Sequence, residues 1–314
     1  MKYFKIPAML LMLLAFTGCI KENLDDCPPP YNVALNFSYF YNKLASGNLF
    51  TGRVDNVGIF VYDAAGNFVT SFFKGPEDFL LYPAQARIFL NPGEYRLVCW
   101  GNDFEHTDIQ AGLAGQPLSA ARVFHTGRAR GESDNGDPLF YAPRMANLNN
   151  PNANILLLTV PQEGVVQQPV NFTATHKTLE VIIKGFRDED GRPCPNVVIT
   201  GQPLAYNFLM QPIVGGNMEY RQRAVEEEWT AQHGVATFYV PLFEWENDIN
   251  IQVVRPSNNA LVHTISLHQY FVDNPIALTS LDWDKVSIII EFNDLGAVVS
   301  VEPWNGSWLK PGVF

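Results

Sequence analysis

Apolar side chains fall at every second position along residues 32–41, with Val33, Leu35, Phe37 and Tyr39 on one side. A period of two marks a strand with one face buried. Residues 57–62 and 68–73 are two more β-rich runs, joined by Asp63-Ala64-Ala65-Gly66-Asn67. A short glycine-containing connection of that kind predicts a hairpin. Residues 87–90 and 95–100 flank Asn91-Pro92-Gly93-Glu94 in the same manner. The pattern continues at 155–160, 170–174 and 178–184, then at 236–240, 248–254, 261–267, 286–292 and 297–301. Residues 218–232 have a helical composition, but no helix there is part of the expected fold. Many short strands punctuated by Gly and Pro predict an all-β protein made of sandwiches.

Residues 101–150 lose the pattern and are rich in Gly, Asn, Asp and Arg, as in a long loop excursion of a first domain. The stretch 160–168 (VPQEGVVQQ) reads as a junction before a new strand series. A prior of roughly 150 residues per domain suits two units in 314 residues. The expected division is 1–18, a signal peptide; 19–30, a spacer; 31–162, an N-terminal β-sandwich; and 163–314, a C-terminal one.

The leader decides the location. Lys2 and Lys5 precede the apolar run 9–16 (MLLMLLAF), and Thr17-Gly18 stand before Cys19. The run is shorter than the roughly 20 residues a spanning helix needs, so it reads as a signal peptide. Small residues ahead of a cysteine resemble a bacterial lipobox, with Phe16 where Leu is usual, and Cys19 is the expected acylated N-terminus. Each buried CH₂ contributes about 0.8 kcal/mol, so a multiply acylated cysteine anchors firmly without a spanning helix. Asp25 and Asp26 lie behind it, resembling the export signal of surface lipoproteins, and Pro28-Pro29-Pro30 favour an extended spacer.

Composition narrows the function. The chain is 47% hydrophobic, 13% aromatic and only 17% charged, which excludes a disordered chain or a coiled coil. It carries 21 basic against 32 acidic residues, net -11. Removing residues 1–18 takes away two lysines and no acids, leaving 19 against 32. So negative a chain is repelled by phosphate backbones, which disfavours nucleic acid, and is not drawn to anionic headgroups. Lipid on Cys19 has to hold it.

Catalytic and metal-binding patterns are missing from the sequence. The histidines, His106, His125, His176, His233, His263 and His268, form no HExxH pair, and there is no CxxC. His263 and His268 are five apart in strand-like sequence, which sets them on opposite faces. Neither Gly112 with Gly115 nor Gly215-Gly216 is followed by the Lys-Ser/Thr of a phosphate loop. Asp188-Glu189-Asp190-Gly191 lacks calcium-loop spacing and reads as a polar turn. Glu226-Glu227-Glu228 reads as a solvated acidic face. Cys99 lies in an apolar strand and is expected to be a buried thiol. No enzyme activity, cofactor or metal is expected. Trp229, Trp245, Trp283, Trp304 and Trp308 leave open a second reading, since exposed tryptophans stack on sugars.

The order of several motifs resembles the FimB/Mfa-type fimbrial anchor subunits of Bacteroidales, lipoproteins at the base of type V pili. These motifs are Thr17-Gly18-Cys19 with Ile20-Lys21-Glu22 and Asp25-Asp26-Cys27-Pro28, then VGIFVYDAAG at 57–66 and Pro92-Gly93-Glu94-Tyr95 leading to Cys99-Trp100-Gly101-Asn102. TLEVIIKG at 178–185 and Val299-Ser300-Val301-Glu302-Pro303-Trp304 complete the set.

That resemblance implies two tandem transthyretin-like β-sandwich domains, an outer-membrane lipid anchor and a fimbrial stalk subunit as partner, joined by β-strand addition. Stalk subunits of such pili lose an N-terminal strand to an Arg-specific protease, whereas the anchor keeps its own. Arg53 is the first arginine after the strand at 33–41, so an anchor needs it to be protected or ignored. Val299, Val301, Trp304, Trp308 and Phe314 are the expected partner contacts, although 297–301 also reads as the last strand of the second domain. The alternative function is a surface glycan-binding lipoprotein of a polysaccharide uptake system.

Overall fold

A computed structural model describes residues 30–40, 47–126, 132–133, 135–143, 155–189, 191, 194–209, 211–213, 216–226, 233–241, 248–275, 285–294 and 296–303. Strands dominate it. In the N-terminal half they are β1 (Val33–Tyr39), β2 (Val57–Asp63), β3 (Phe68–Lys74), β4 (Gln85–Ile88), β5 (Gly93–Gly101), β6 (Thr107–Gln110), β7 (Arg122–His125), β8 (Glu132–Ser133), β9 (Phe140–Ala142), β10 (Leu156–Val160) and β11 (Val166–Ala174). The C-terminal half adds β12 (His176–Lys184), β13 (Asn196–Pro203), β14 (Ala205–Asn207), β15 (Asn217–Arg223), β16 (Val225–Glu226), β17 (His233–Pro241), β18 (Asn250–Val254), β19 (Leu261–Ser266), β20 (Lys285–Asn293) and β21 (Gly296–Pro303).

Two short α-helices interrupt them among the described residues, α1 (Pro76–Leu81) and α2 (Leu267–Asp273). The first starts with Pro76 behind Gly75, whose N–H donates to the Asp78 carboxylate at 3.0 Å. Proline is suited to that opening position because its missing N–H would be unpaired there anyway. Phe79 turns inward from α1 to meet Phe50 edge-on at 5.5 Å, while Leu80 and Leu81 remain exposed. Leu267 and Phe271 bury the face of α2, and Ser266 caps its start through Gln269 N–H.

Eight of the N-terminal strands form one sheet in the order β3-β2-β5-β9-β11-β1-β4, with β10 beside β5. The sheet closes round a core that includes Val33, Leu35, Phe37, Ile59, Leu97, Cys99, Val170 and Phe172. In the C-terminal half, sheets β16-β17-β12-β20-β21 and β19-β18-β13-β15-β8 enclose a second core, with Val181, Val197, Tyr220, Phe238, Ile251 and Ile288 among its members. Residues 217–223 form a strand, so the helical composition of that stretch does not decide its structure. Met218 and Tyr220 alternate into the second core, and that burial outweighs local propensity.

The excursion after β5 is not a plain loop. Its strands β6 and β7 pair with β14 of the C-terminal half, and β8 runs parallel to β15. Each half thus lends strands to the other. A third apolar cluster fills the join, with Phe60, Tyr62, Val98, Trp100 and Tyr141 on one side and Phe208 on the other. Asn135 tightens it, accepting from Tyr239 N–H at 2.7 Å. A Cβ on Gly136 would collide with the Tyr239 carbonyl, so only glycine lets the excursion approach β17 so closely.

Candidate functional site

The N-terminal strand is an interior, largely buried element of its sheet. β1 lies between β11, to which it is parallel over all seven residues, and β4, to which it is antiparallel. The alternation read from the sequence sends Val33, Leu35, Phe37 and Tyr39 into the core. Phe37 sits against Phe50, Phe79 and Phe172 at centroid distances of 5.1, 6.1 and 5.5 Å. Two of the outward positions, Asn36 and Ser38, are polar and cross-linked. Asn36 Nδ2 donates to Gln167 Oε1 at 3.0 Å, Gln85 Nε2 donates to Asn36 Oδ1 at 2.8 Å, and the Ser38 hydroxyl donates to Asn171.

Where the chain enters β1, Asn32 is bonded to both neighbours. Its N–H reaches Ile88 O at 3.2 Å, its side chain exchanges bonds with the Leu90 backbone at 2.6 and 2.9 Å, and its carbonyl accepts from Val166 N–H at 2.9 Å. The Arg87 guanidinium lies over the rings of Tyr31 and Tyr82, at 4.8 and 3.7 Å. Cys19 and Cys27 lie upstream, outside the described residues.

Arg53 is exposed, yet its backbone is held on both sides. It follows a 3-10 turn at Phe50–Gly52, and both Arg53 N–H and Val54 N–H bond to Phe50 O, at 3.0 and 2.8 Å. Asn102 Nδ2 donates to Arg53 O at 2.8 Å, and Asn102 Oδ1 accepts from Asp55 N–H at the same distance. Asn102 has φ +62° and is 2% exposed. Its left-handed backbone aims one side chain at both flanks of the Arg53–Val54 bond.

At the other end of the chain, β21 pairs antiparallel with β20 and forms one edge of its sheet. Val299 and Val301 are half-buried against the second core, and the outward-facing Val298 is 57% exposed. Trp304, Trp308 and Phe314 lie outside the described residues. Of the expected partner contacts, Val299 and Val301 are the two among the described residues, and both lean on the second core. What the structure presents at β21 is a strand edge.

Titratable groups cluster where the halves meet. His125 is buried between Tyr206 and Tyr220, and burial lowers its pKa to about 4. Neither of its ring nitrogens has a partner among the described residues. Burial likewise lowers His176 to about 4, while its Nδ1 donates to Leu139 O at 2.9 Å. Asp103 is raised to about 6 by burial and by the neighbouring Asp137 and Asp108 charges.

A cleft of about 590 Å³ opens nearby, lined by Phe104, Glu105, His106, Asn135, Asp137 and Tyr239 among others. Its buried carboxylate is already committed, because Asp137 Oδ2 accepts from the N–H groups of Phe104 and His106 at 3.1 and 3.2 Å. His263 and His268 do not share a strand: the chain turns into α2 at Leu267, so alternation does not govern them. Cys99 and Cys194 are both buried and free, and burial pushes the Cys99 thiol up to about 12. Trp100 is buried, and the tryptophans considered for sugar stacking lie outside the described residues. No helix among the described residues is long and apolar enough to cross a membrane.

Among the described residues, a buried first strand, a last strand at a sheet edge and two cores joined by shared strands define an all-β protein. The sequence pattern of the fimbrillin-A associated anchor proteins Mfa1 and Mfa2 matches residues 24–306, and the chain belongs to that family. It is thus a fimbrial anchor or accessory protein associated with the cell envelope. No curated protein matches the chain.

Solved structures agree on the fold. The fimbrial anchor protein Mfa2 from Porphyromonas gingivalis superposes with a TM-score of 0.61 at 14% identity, over 87% of this chain and 97% of that one. A candidate polysaccharide-binding protein from Bacteroides thetaiotaomicron gives 0.67 at 13% identity, over 87% and 96%. A candidate adhesin from the same organism gives 0.61 at 16% identity, over 89% and 98%. At these identities the likeness extends to the fold alone.

Proposed function

We propose that this protein is a lipid-anchored fimbrial anchor subunit of the outer membrane, holding its filament through an acylated Cys19 and meeting the first stalk subunit by β-strand addition. The observation that carries this reading is the position of β1. The strand directly behind the leader is an interior strand of its sheet, paired along all seven residues with β11 and along Val33–Asn36 with β4, so a filament bound to the folded body stays covalently continuous with Cys19. A subunit whose first strand had been cut away would lose that continuity.

The bonded backbone around Arg53 supports retention of the strand, because a protease needs an extended, unbonded segment. The edge at β21 supports strand addition, since an edge strand offers unpaired N–H and C=O groups. The reading also divides the body into two domains. Because β11 belongs with β1 in the first sheet, the proposed crossing is at Thr175 rather than near 163. The glycan-binding alternative gains no support from Trp100, which is buried.

Mass spectrometry of the mature protein tests the anchor. An acylated Cys19 at the N-terminus is expected, and deletion of the gene is expected to shed fimbriae into the medium. A mature chain starting after Arg53, or filaments retained at normal length without the protein, would refute it.

A further inference from the structure

β1 and β11 run parallel and in register, from Val33 opposite Val166 to Tyr39 opposite Phe172. The leader enters β1 at Asn32, beside the start of β11. The chain leaves β11 for the C-terminal half across Thr175, at the opposite end of the same pair. A pull between the leader and the C-terminal half therefore acts along the strands and drives β1 to slide past its neighbour.

Sliding and peeling have very different barriers. When two strands are peeled from a shared end, their hydrogen bonds break one after another. When they are slid, the bonds are stressed together and must fail as a set, and each broken pair leaves buried donors and acceptors unmet. Resistance to forced unfolding is set by that barrier rather than by equilibrium stability.

The surroundings of β1 suit sliding resistance on every side. β4 adds four antiparallel residue pairs along the other edge. The outer face carries the Asn36–Gln167, Gln85–Asn36 and Ser38–Asn171 side-chain bonds, which tie β1 to both neighbours. The inner face wedges Phe37 among Phe50, Phe79 and Phe172. At the pulled end, Asn32 is bonded to Ile88, Leu90 and Val166.

We propose that β1 is a mechanical clamp: the strand between β11 and β4 carries filament tension to the leader in the sliding direction. The clamp rests on the anchor reading, in which the leader is fixed and the C-terminal half is pulled.

Single-molecule pulling tests it on the chain from residue 19 to residue 314 carrying Cys27→Ser, with one handle on the unacylated Cys19 thiol. Cys99 and Cys194 are buried and stay unlabelled. With the second handle on Asp294→Cys, in the exposed turn between β20 and β21, the force that releases β1 is expected to be high. With the second handle on Asn91→Cys, the pull opens β1 and β4 from their shared end, and release is expected at a several-fold lower force. Both arms leave the clamp residues untouched, so a folding defect cannot account for the contrast. Equal release forces in the two geometries would overturn the clamp. That result would leave the anchor reading standing wherever Cys19 is acylated and its loss sheds filaments. Conversely, an unacylated chain would remove the anchor without changing the measured force ratio.

Discussion

The ring of Phe140 meets the imidazole of His176 edge-on, with centroids 5.5 Å apart and planes at 75°. Phe140 belongs to β9 and His176 opens β12, so this contact bridges the two halves. It is the middle of a chain of rings. Tyr39 at the end of β1 touches Phe140 at 4.9 Å, and His176 touches Tyr239 of β17 at 5.5 Å. The N-terminal strand and the C-terminal sheet are thus in contact through side chains as well as through the backbone at Thr175.

Buried histidines make this join sensitive to acid. His125 and His176 both have folded pKa values of about 4, below the ordinary value of 6.5, because burial disfavours their charged forms. Their contribution is complete above the unfolded pKa and is lost as pH falls from about 6.5 towards 4. Asp103 works in the opposite sense: its folded pKa is raised to about 6, so the strain of its charge is relieved over part of the same range. His125→Phe keeps a ring between Tyr206 and Tyr220 and sacrifices no hydrogen bond among the described residues. The loss of stability between pH 7 and pH 4.5 is expected to shrink by about 2–3 kcal/mol in this variant. Urea unfolding at the two pH values measures it, and a pH dependence equal to wild type would show that His125 does not carry the effect.

Phe208 couples the halves. It comes from the C-terminal half yet packs on Phe60 and Trp100 of the N-terminal half, at 5.1 and 6.1 Å, and is fully buried. Removing a buried phenylalanine costs about 3–5 kcal/mol through lost transfer energy and the cavity left behind. Here that loss falls on the join rather than on either core. Phe208→Ala is expected to split one calorimetric transition into two, and a single transition merely shifted to lower temperature would mean the exchanged strands couple the halves without it.

These two features also show where sequence reading stops. β1 was legible because its partners bury one face, so its apolar residues recur with a period of two. Trp100 and Cys99 likewise announced a buried strand. The exchange between halves left no such trace, since β8 finds its partner at Glu219–Tyr220, far along the chain. β7 buries Val123 and His125 against residues of the other half, and nothing in a Gly- and Asn-rich stretch marks a lone histidine as buried. The helix α1 has only six residues, too few for a helical period to emerge beside its Pro76 start. Val299 and Val301 were legible as a strand, but which face met the core depends on β20, beside which the strand lies.

Asn102 is expected to be the lock on Arg53. Its side chain donates to Arg53 O and Pro138 O, at 2.8 and 3.2 Å, and accepts from Asp55 N–H. Asn102→Ala leaves those buried groups unmet and puts alanine, which tolerates the left-handed conformation less well than asparagine, at φ +62°, a loss of about 3 kcal/mol or more. Brief trypsin treatment of the wild type is expected to spare Arg53 although its side chain is exposed. In the variant, the first cut is expected after Arg53, identified by the mass of the fragment beginning at Val54. A first cut at the same site in both proteins would mean that the bonded turn gives no protection.

The edge at β21 separates packing from partner binding along a single strand. Val299 and Val301 lean on the second core, whereas Val298 points to solvent. Val299→Asp puts an unpaired carboxylate against apolar neighbours and is expected to destabilise by about 2–3 kcal/mol. Val298→Asp is expected to leave the melting temperature within the small range typical of surface changes. If a stalk subunit adds a strand to this edge, its side chains run alongside Val298 and Ser300 on the outward face. The exposed Val298→Asp variant should then fold normally yet recover less stalk protein in a pull-down than wild type. Full recovery by Val298→Asp, together with full recovery by a Ser300→Pro variant of normal stability, would move the partner to another edge, because neither the outward face nor the backbone of β21 would then matter.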